Sequence, residues 1–254
     1  MYILSTNVCA GKTFDAFLKT YEALKQPLNL HGIEVTESIP FTVDDIARIK
    51  DAGIDTVLWH DAFWYINGCK QETYPDAAAN YFTLHKLFCS ADIDVPIWSI
   101  NPYKEEKSAA MWTGDVYYKF CTDNWHSLEY VLPRDKDPRS SYCDFIHTFR
   151  IAFKNTLPNA PLYNNVESIL STVGPSFCID YSYVNAWCKG NREQSIVQCL
   201  LLTGNKTVEI HLSSSCNSYL DTDEWFMSYL DAIKAAKSLY ITYNSLPIKY
   251  KQYG

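Results

Sequence analysis

VLWHDAFWYINGC, residues 57–69, sets a short apolar run directly against His60 and Asp61. An apolar run of that length, rich in β-branched and aromatic residues, reads as a buried strand over 56–59. Helical patterns lie on both sides of it. One has Thr42 as its cap, Asp44 and Asp45 in its first turn and Gly53 at its end; the other covers roughly 75–90. The alternation continues upstream, with a strand at 2–4 and a helix at 13–24 whose Phe14, Phe17, Leu18, Tyr21 and Leu24 fall at helical spacing. A second strand follows Pro27 at 28–35. Downstream come a strand at 95–100, an irregular stretch at 101–139 rich in charge and aromatics, and a helix at 140–155. Strands are then expected at 162–165, 176–181, 207–212 and 238–243, with helices at 193–202 and 221–236 between the later ones.

About eight strands alternating with helices imply a parallel sheet covered by helices, either doubly wound or closed on itself. Eight such units in 254 residues favour a (β/α)8 TIM barrel, an α/β fold. No low-complexity segment or Pro/Gly-rich linker divides the chain. The expected organisation is therefore one barrel domain over 1–254, with a long excursion at 101–139.

Composition narrows the class. A hydrophobic fraction of 47% suits a sizeable core. The longest apolar runs, such as 196–203, are far short of the ~20 residues that cross a bilayer, and the N-terminus lacks the basic region of a signal peptide. Nine cysteines are scattered with no CxxC pair, which argues against a zinc ribbon and for reduced thiols. An intracellular protein, cytoplasmic or nuclear, with no membrane partner is expected. The net charge of −7 leans away from sequence-blind binding of polyanions, although a local basic groove remains compatible with it.

In a barrel the site is built where strands end and their loops begin. Asn7 follows the first strand, Glu34 and Glu37 close the second, and His60 and Asp61 the third. Asn101 follows the fourth, Asn164 and Asn165 the fifth, Asp180 the sixth and His211 the seventh, with Asp221 and Asp223 in the loop beyond. His60, Asp180, His211 and Asp221 are residue types that bind zinc or manganese. Asn7, Glu34, Asp61, Tyr65, Asn101, Asn164, Tyr183 and Asp223 are the expected substrate-facing set. The plain alternative is that strand ends are polar because they meet water. Trp59, Phe63, Trp64 and Tyr65 around His60 read either as core and rim packing or as a stacking surface for a base or sugar ring.

The 57–69 segment resembles endonuclease IV, in which a hydrophobic strand runs into His-Asp, an aromatic and Ile-Asn. LSTNVCAGKTFDAF (4–17), SFCIDYSYVNAW (176–187) and VEIHLSSSCNSYLDTD (208–223) resemble further segments of that family in the same order. The resemblance implies the xylose-isomerase-like barrel superfamily and zinc-dependent hydrolysis of phosphodiesters at abasic sites in DNA. Carried over by position, His60, Asp180, His211 and Asp221 match metal ligands. Asn7, Asn101, Asn164, Tyr183 and Asp223 stand where the family places ligands of other types, and LYITYN (239–244) lacks a glutamate. Of the surviving set only His211 and Asp180 are expected to share one zinc or manganese ion, with Glu34 as a neighbouring carboxylate, while His60 and Asp221 are each separated from their former co-ligands; a metal-free barrel is the alternative.

Three readings follow. The first is an endonuclease-IV-like hydrolase acting on damaged DNA with a reduced metal site. The second is a catalytically inactive descendant that binds a protein partner or serves a structural role. The third is a sugar isomerase or epimerase of the same superfamily, which needs a proton-abstracting carboxylate, with Glu34 and Asp180 the candidates.

Overall fold

The computed structural model describes residues 1–60, 84–100, 151–154, 176–180, 207–212, 231 and 239–254, and the backbone alone at 100, 151, 153, 154, 176 and 177. Eight strands run in the order β1 (Tyr2–Ser5), β2 (Leu30–Val35), β3 (Val57–His60), β4 (Trp98–Ile100), β5 (Ile151–Lys154), β6 (Ser176–Asp180), β7 (Thr207–Leu212) and β8 (Tyr240–Tyr243). Each pairs in parallel with the next, and β8 returns to β1 through Tyr2↔Ile241, Ile3↔Thr242 and Leu4↔Tyr243. The sheet is a closed barrel, which decides between the two architectures that alternation left open.

The helices carry the expected end signals with one difference. In α1 (Phe14–Lys25), the Thr13 hydroxyl accepts from the Ala16 N–H at 3.3 Å, and Phe14, Phe17, Tyr21 and Leu24 form the buried face. In α2 (Asp44–Asp51) the cap position belongs to Val43, with no side-chain cap bond, rather than to Thr42. Thr42 instead donates its N–H and hydroxyl to the buried Asp45 carboxylate at 2.7 and 2.9 Å, so the carboxylate reaches back to the turn. Gly53 follows with φ +65°, the left-handed conformation that ends a helix. Residues 84–90 are helical as well.

The fifth strand is a correction. Within the expected helix over 140–155, Ile151–Lys154 is instead strand β5 and takes the fifth place in the barrel that 162–165 was expected to fill, paired with β4 through Ser99↔Ala152 and with β6 through Lys154↔Cys178. A short apolar run such as IAF has no periodicity of its own, and its neighbours in the sheet decide its state. Asn164 and Asn165 therefore do not close the fifth strand; they and the 101–139 excursion lie outside the described residues.

Side chains alternate between the barrel interior and the surrounding layer. Outward-facing Trp59 packs on Phe41 and Phe88, with ring centroids 5.1 and 5.8 Å away, and on Trp98 at 5.7 Å. Trp59 and Trp98 thus belong to the packing between barrel and helices rather than to a stacking surface at the mouth. Inside, Ile3, Leu58, Ile97, Ala152 and Cys178 form a buried apolar cluster. Gly32 is required here, since a Cβ would lie 2.4 Å from the Thr56 carbonyl oxygen. Among the described residues no helix is long and apolar enough to cross a membrane.

Candidate metal centre inside the barrel

Above that apolar cluster the interior turns polar. Glu34 is the next-to-last residue of β2, His60 the last of β3 and His211 the next-to-last of β7. β2 and β7 are not neighbours in the sheet, so their contact crosses the barrel. Glu34 Oε1 lies 2.9 Å from His211 Nε2 and 3.4 Å from His60 Nδ1, and neither contact has the in-line geometry of a hydrogen bond. The other oxygen, Oε2, is buried with no hydrogen-bond partner among the described residues. Burial pushes the Glu34 carboxyl up, but the charges of His211 and His60 outweigh it and hold the group well below the usual carboxylate range.

His211 is held from two further directions. Its Nε2 also lies 3.0 Å from Glu209 Oε1, and Glu209 is itself fixed from across the barrel. Thr242 donates its hydroxyl to Oε1 at 2.6 Å, and Ser99 donates a short bond to Oε2. On the far side of the ring, Asn244 Nδ2 meets Nδ1 at 2.7 Å. The roles in that contact follow the imidazole tautomer, and Nε2 is the ring atom that faces the two carboxylates. Asn244 Oδ1 accepts from Asn7 Nδ2 at 3.3 Å, and Asn7 Oδ1 accepts from the Thr36 hydroxyl at 3.1 Å. A chain of side-chain bonds thereby runs from the loop after β2 to the buried imidazole.

Of the four expected metal ligands, the structure brings His60 and His211 together, their ring centroids 5.1 Å apart. Asp180 closes β6, is buried and pairs in register with His211. Among the described residues it joins neither set of grouped donors. Glu34, expected both in the substrate-facing set and as an added metal carboxylate, lies between the two imidazoles, and Asn7 stands behind His211 through Asn244. Asp61, Tyr65, Asn101, Asn164, Tyr183, Asp221 and Asp223 lie outside the described residues.

Glu209, Ser99, Thr242 and Asn244 were missed from the sequence. The signal for Glu209 was present: in TVEIHL, Thr207, Glu209 and His211 alternate with Val208, Ile210 and Leu212, which puts the polar residues on one face. In a parallel barrel covered by helices, that face is the interior.

The residues fit a divalent cation. The ligating atoms of Glu34, His60 and His211 all lie within 4.8 Å of one another, and all three side chains are buried. An ionised carboxylate with an unsatisfied oxygen is costly inside a protein unless a positive charge compensates it. Two imidazoles and a carboxylate suit zinc or manganese equally.

No protein-family model and no curated protein sequence matches the chain. Solved structures do. A Bacillus anthracis protein assigned as the 3-DHS dehydratase AsbF of petrobactin synthesis aligns with TM-score 0.53 and 13% identity, over 99% of this chain and 94% of that one. An Anabaena variabilis protein assigned as a sugar phosphate isomerase/epimerase aligns with TM-score 0.50 and 14% identity, over 99% and 86%. At those identities the likeness speaks for the fold alone. The expected barrel architecture is borne out, whereas the likeness to endonuclease IV is a matter for proposal. The chain folds as a closed (β/α)8 barrel.

Proposed function

We propose that the chain is a mononuclear, divalent-metal-dependent enzyme that moves a proton on a small hydroxy-carbonyl compound of the sugar type, as an isomerase or epimerase does. One observation carries this reading: a compact donor set of Glu34, His60 and His211, with an unsatisfied carboxylate oxygen, at the C-terminal ends of barrel strands. A divalent ion bound there supplies Lewis acidity toward a substrate carbonyl or hydroxyl oxygen. Glu34 contributes the negative charge that retains it, and His60 and His211 the neutral nitrogens. Asn244 holds the His211 ring from behind through Nδ1, as residues around a metal site commonly do, while Glu209, fixed by Thr242 and Ser99, lies beside Nε2. Asp180 is assigned as the base, because it closes β6 level with His211 and stands outside the donor set. A net charge of −7 agrees better with a small substrate than with a DNA backbone.

The test is hydrogen exchange in deuterated water. Manganese-loaded protein is mixed with a panel of aldoses, ketoses and their phosphates, and proton NMR follows the C–H next to the carbonyl. Exchange with at least one of them, lost in Glu34→Gln and Asp180→Asn, is the expected result. Bound metal with no exchange on any of the panel overturns the assignment of reaction class. A hydrolase of abasic DNA is the second reading, favoured by the meeting of His60 and His211 at positions the endonuclease IV resemblance marks as ligands. Cleavage of an abasic duplex by the same preparation would establish it instead.

A further inference from the structure

His211 belongs to two donor sets at once. Besides Glu34 and His60, it groups with Cys178 and Glu209, whose ligating atoms also lie within 4.8 Å of one another. Cys178 and Glu209 are Cα partners on β6 and β7, one layer deeper than His211, and all three side chains are fully buried. We propose that Cys178, Glu209 and His211 form a second, deeper cation site for a thiophilic ion of the zinc type, and that the ion's chemistry decides which set His211 serves. The proposal rests on the mononuclear centre described above and adds a choice of ion to it.

Three properties support it. First, the deeper set contains sulfur while the upper one contains none. Thiolate selects zinc, cadmium or cobalt over manganese and magnesium, which prefer oxygen and imidazole. Second, Glu209 has coordination capacity left. A carboxylate offers about four lone-pair sites, and Thr242 and Ser99 occupy one on each oxygen, which also fixes its orientation. Third, the floor of this site is the apolar cluster of Ile3, Leu58, Ile97 and Ala152 that surrounds Cys178. In such low-dielectric surroundings a cation held between the sulfur and the carboxylate would compensate the charge of both once the thiol gives up its proton on binding.

The two sets exclude each other, since His211 Nε2 is the atom that approaches both carboxylates, at 2.9 and 3.0 Å, while Nδ1 faces Asn244. A hard ion therefore takes the set nearer the strand ends. A thiophilic ion sinks toward Cys178, away from Glu34 and His60, and leaves the protein loaded but inactive.

Cobalt(II), a spectroscopic substitute for zinc, tests this on the intact protein. Binding is expected to produce a thiolate-to-cobalt charge-transfer band in the near ultraviolet. Cys178→Ser should abolish that band while cobalt still binds, and Glu34→Gln should keep it. Manganese affinity, read by titration calorimetry, should respond oppositely: a fall of at least about tenfold in Glu34→Gln and little change in Cys178→Ser. Cobalt that binds without a thiolate band, or with a band that survives Cys178→Ser, overturns the deeper site and leaves the upper centre standing. Loss of the band in a folded Glu34→Gln protein, checked by circular dichroism, overturns it too. A protein that binds neither cobalt nor manganese fails both proposals together.

Discussion

Glu209 is a charged residue in the middle of a barrel strand, fully buried, and its tolerance there has a specific cause. Each carboxylate oxygen accepts one hydroxyl, from Thr242 and Ser99, and the imidazole of His211 lies beside the pair. Thr242→Val removes one hydroxyl and leaves the carboxylate under-satisfied, at a cost of about 1–3 kcal/mol in stability. If Glu209 orients His211 for metal, the same variant weakens metal affinity roughly 10- to 100-fold. Denaturant unfolding and calorimetric titration read the two effects separately, and unchanged affinity would reduce Glu209 to a structural role. Gly32→Ala probes the opposite kind of constraint. Its new methyl meets a backbone carbonyl at 2.4 Å, so the strand must shift, for about 1–3 kcal/mol. Thermal unfolding that matched the parent would contradict that contact.

At the scale of the element, α2 depends on a carboxylate rather than on a hydroxyl cap. Asp45 accepts from the Thr42 N–H and hydroxyl and pairs with Arg48 at 2.8 Å. Asp45→Ala should cost about 1–2 kcal/mol, more than Thr42→Ala, because it removes every one of those bonds. Equal losses in denaturant titrations would return the capping role to Thr42. The helical stretch at 84–90 carries a pH dependence. Burial against the barrel pushes the His85 imidazole below its ordinary 6.5, partly offset by the charge of Asp94. The unfolded chain thus takes up the proton first. Stability is complete above pH 6.5 and falls as the pH drops through that value, until the folded form also protonates. His85→Gln should flatten that slope; an unaltered slope assigns the titration elsewhere. Sequence periodicity located these helices well because the 3.6-residue pattern is local. It misplaced β5, since IAF carries no pattern and only its pairing with Ser99 and Cys178 makes it a strand.

For the whole molecule, metal and fold are linked through strands far apart in the chain. A ligand that binds only the folded barrel adds about 2.7 kcal/mol at a hundred times its dissociation constant, which raises the melting temperature by on the order of 5–10 °C for a chain of this size. Manganese should produce that shift in the parent and not in His211→Ala; an equal shift in the variant would place the ion elsewhere. The amino-acid sequence by itself determined the alternation of strands and helices, and with it the barrel's parts. It also marked Glu34, His60, Asp180 and His211 as polar residues closing apolar strands, because alternation and strand endings are properties of neighbours along the chain. Closure was decided only in three dimensions, where the Met1 ammonium bonds the Leu239 carbonyl at 2.7 Å and β1 pairs with β8. So was the joining of Glu34 with His211 and of Ser99 with Glu209, since those side chains meet across the interior of a sheet whose opposite strands no local pattern connects.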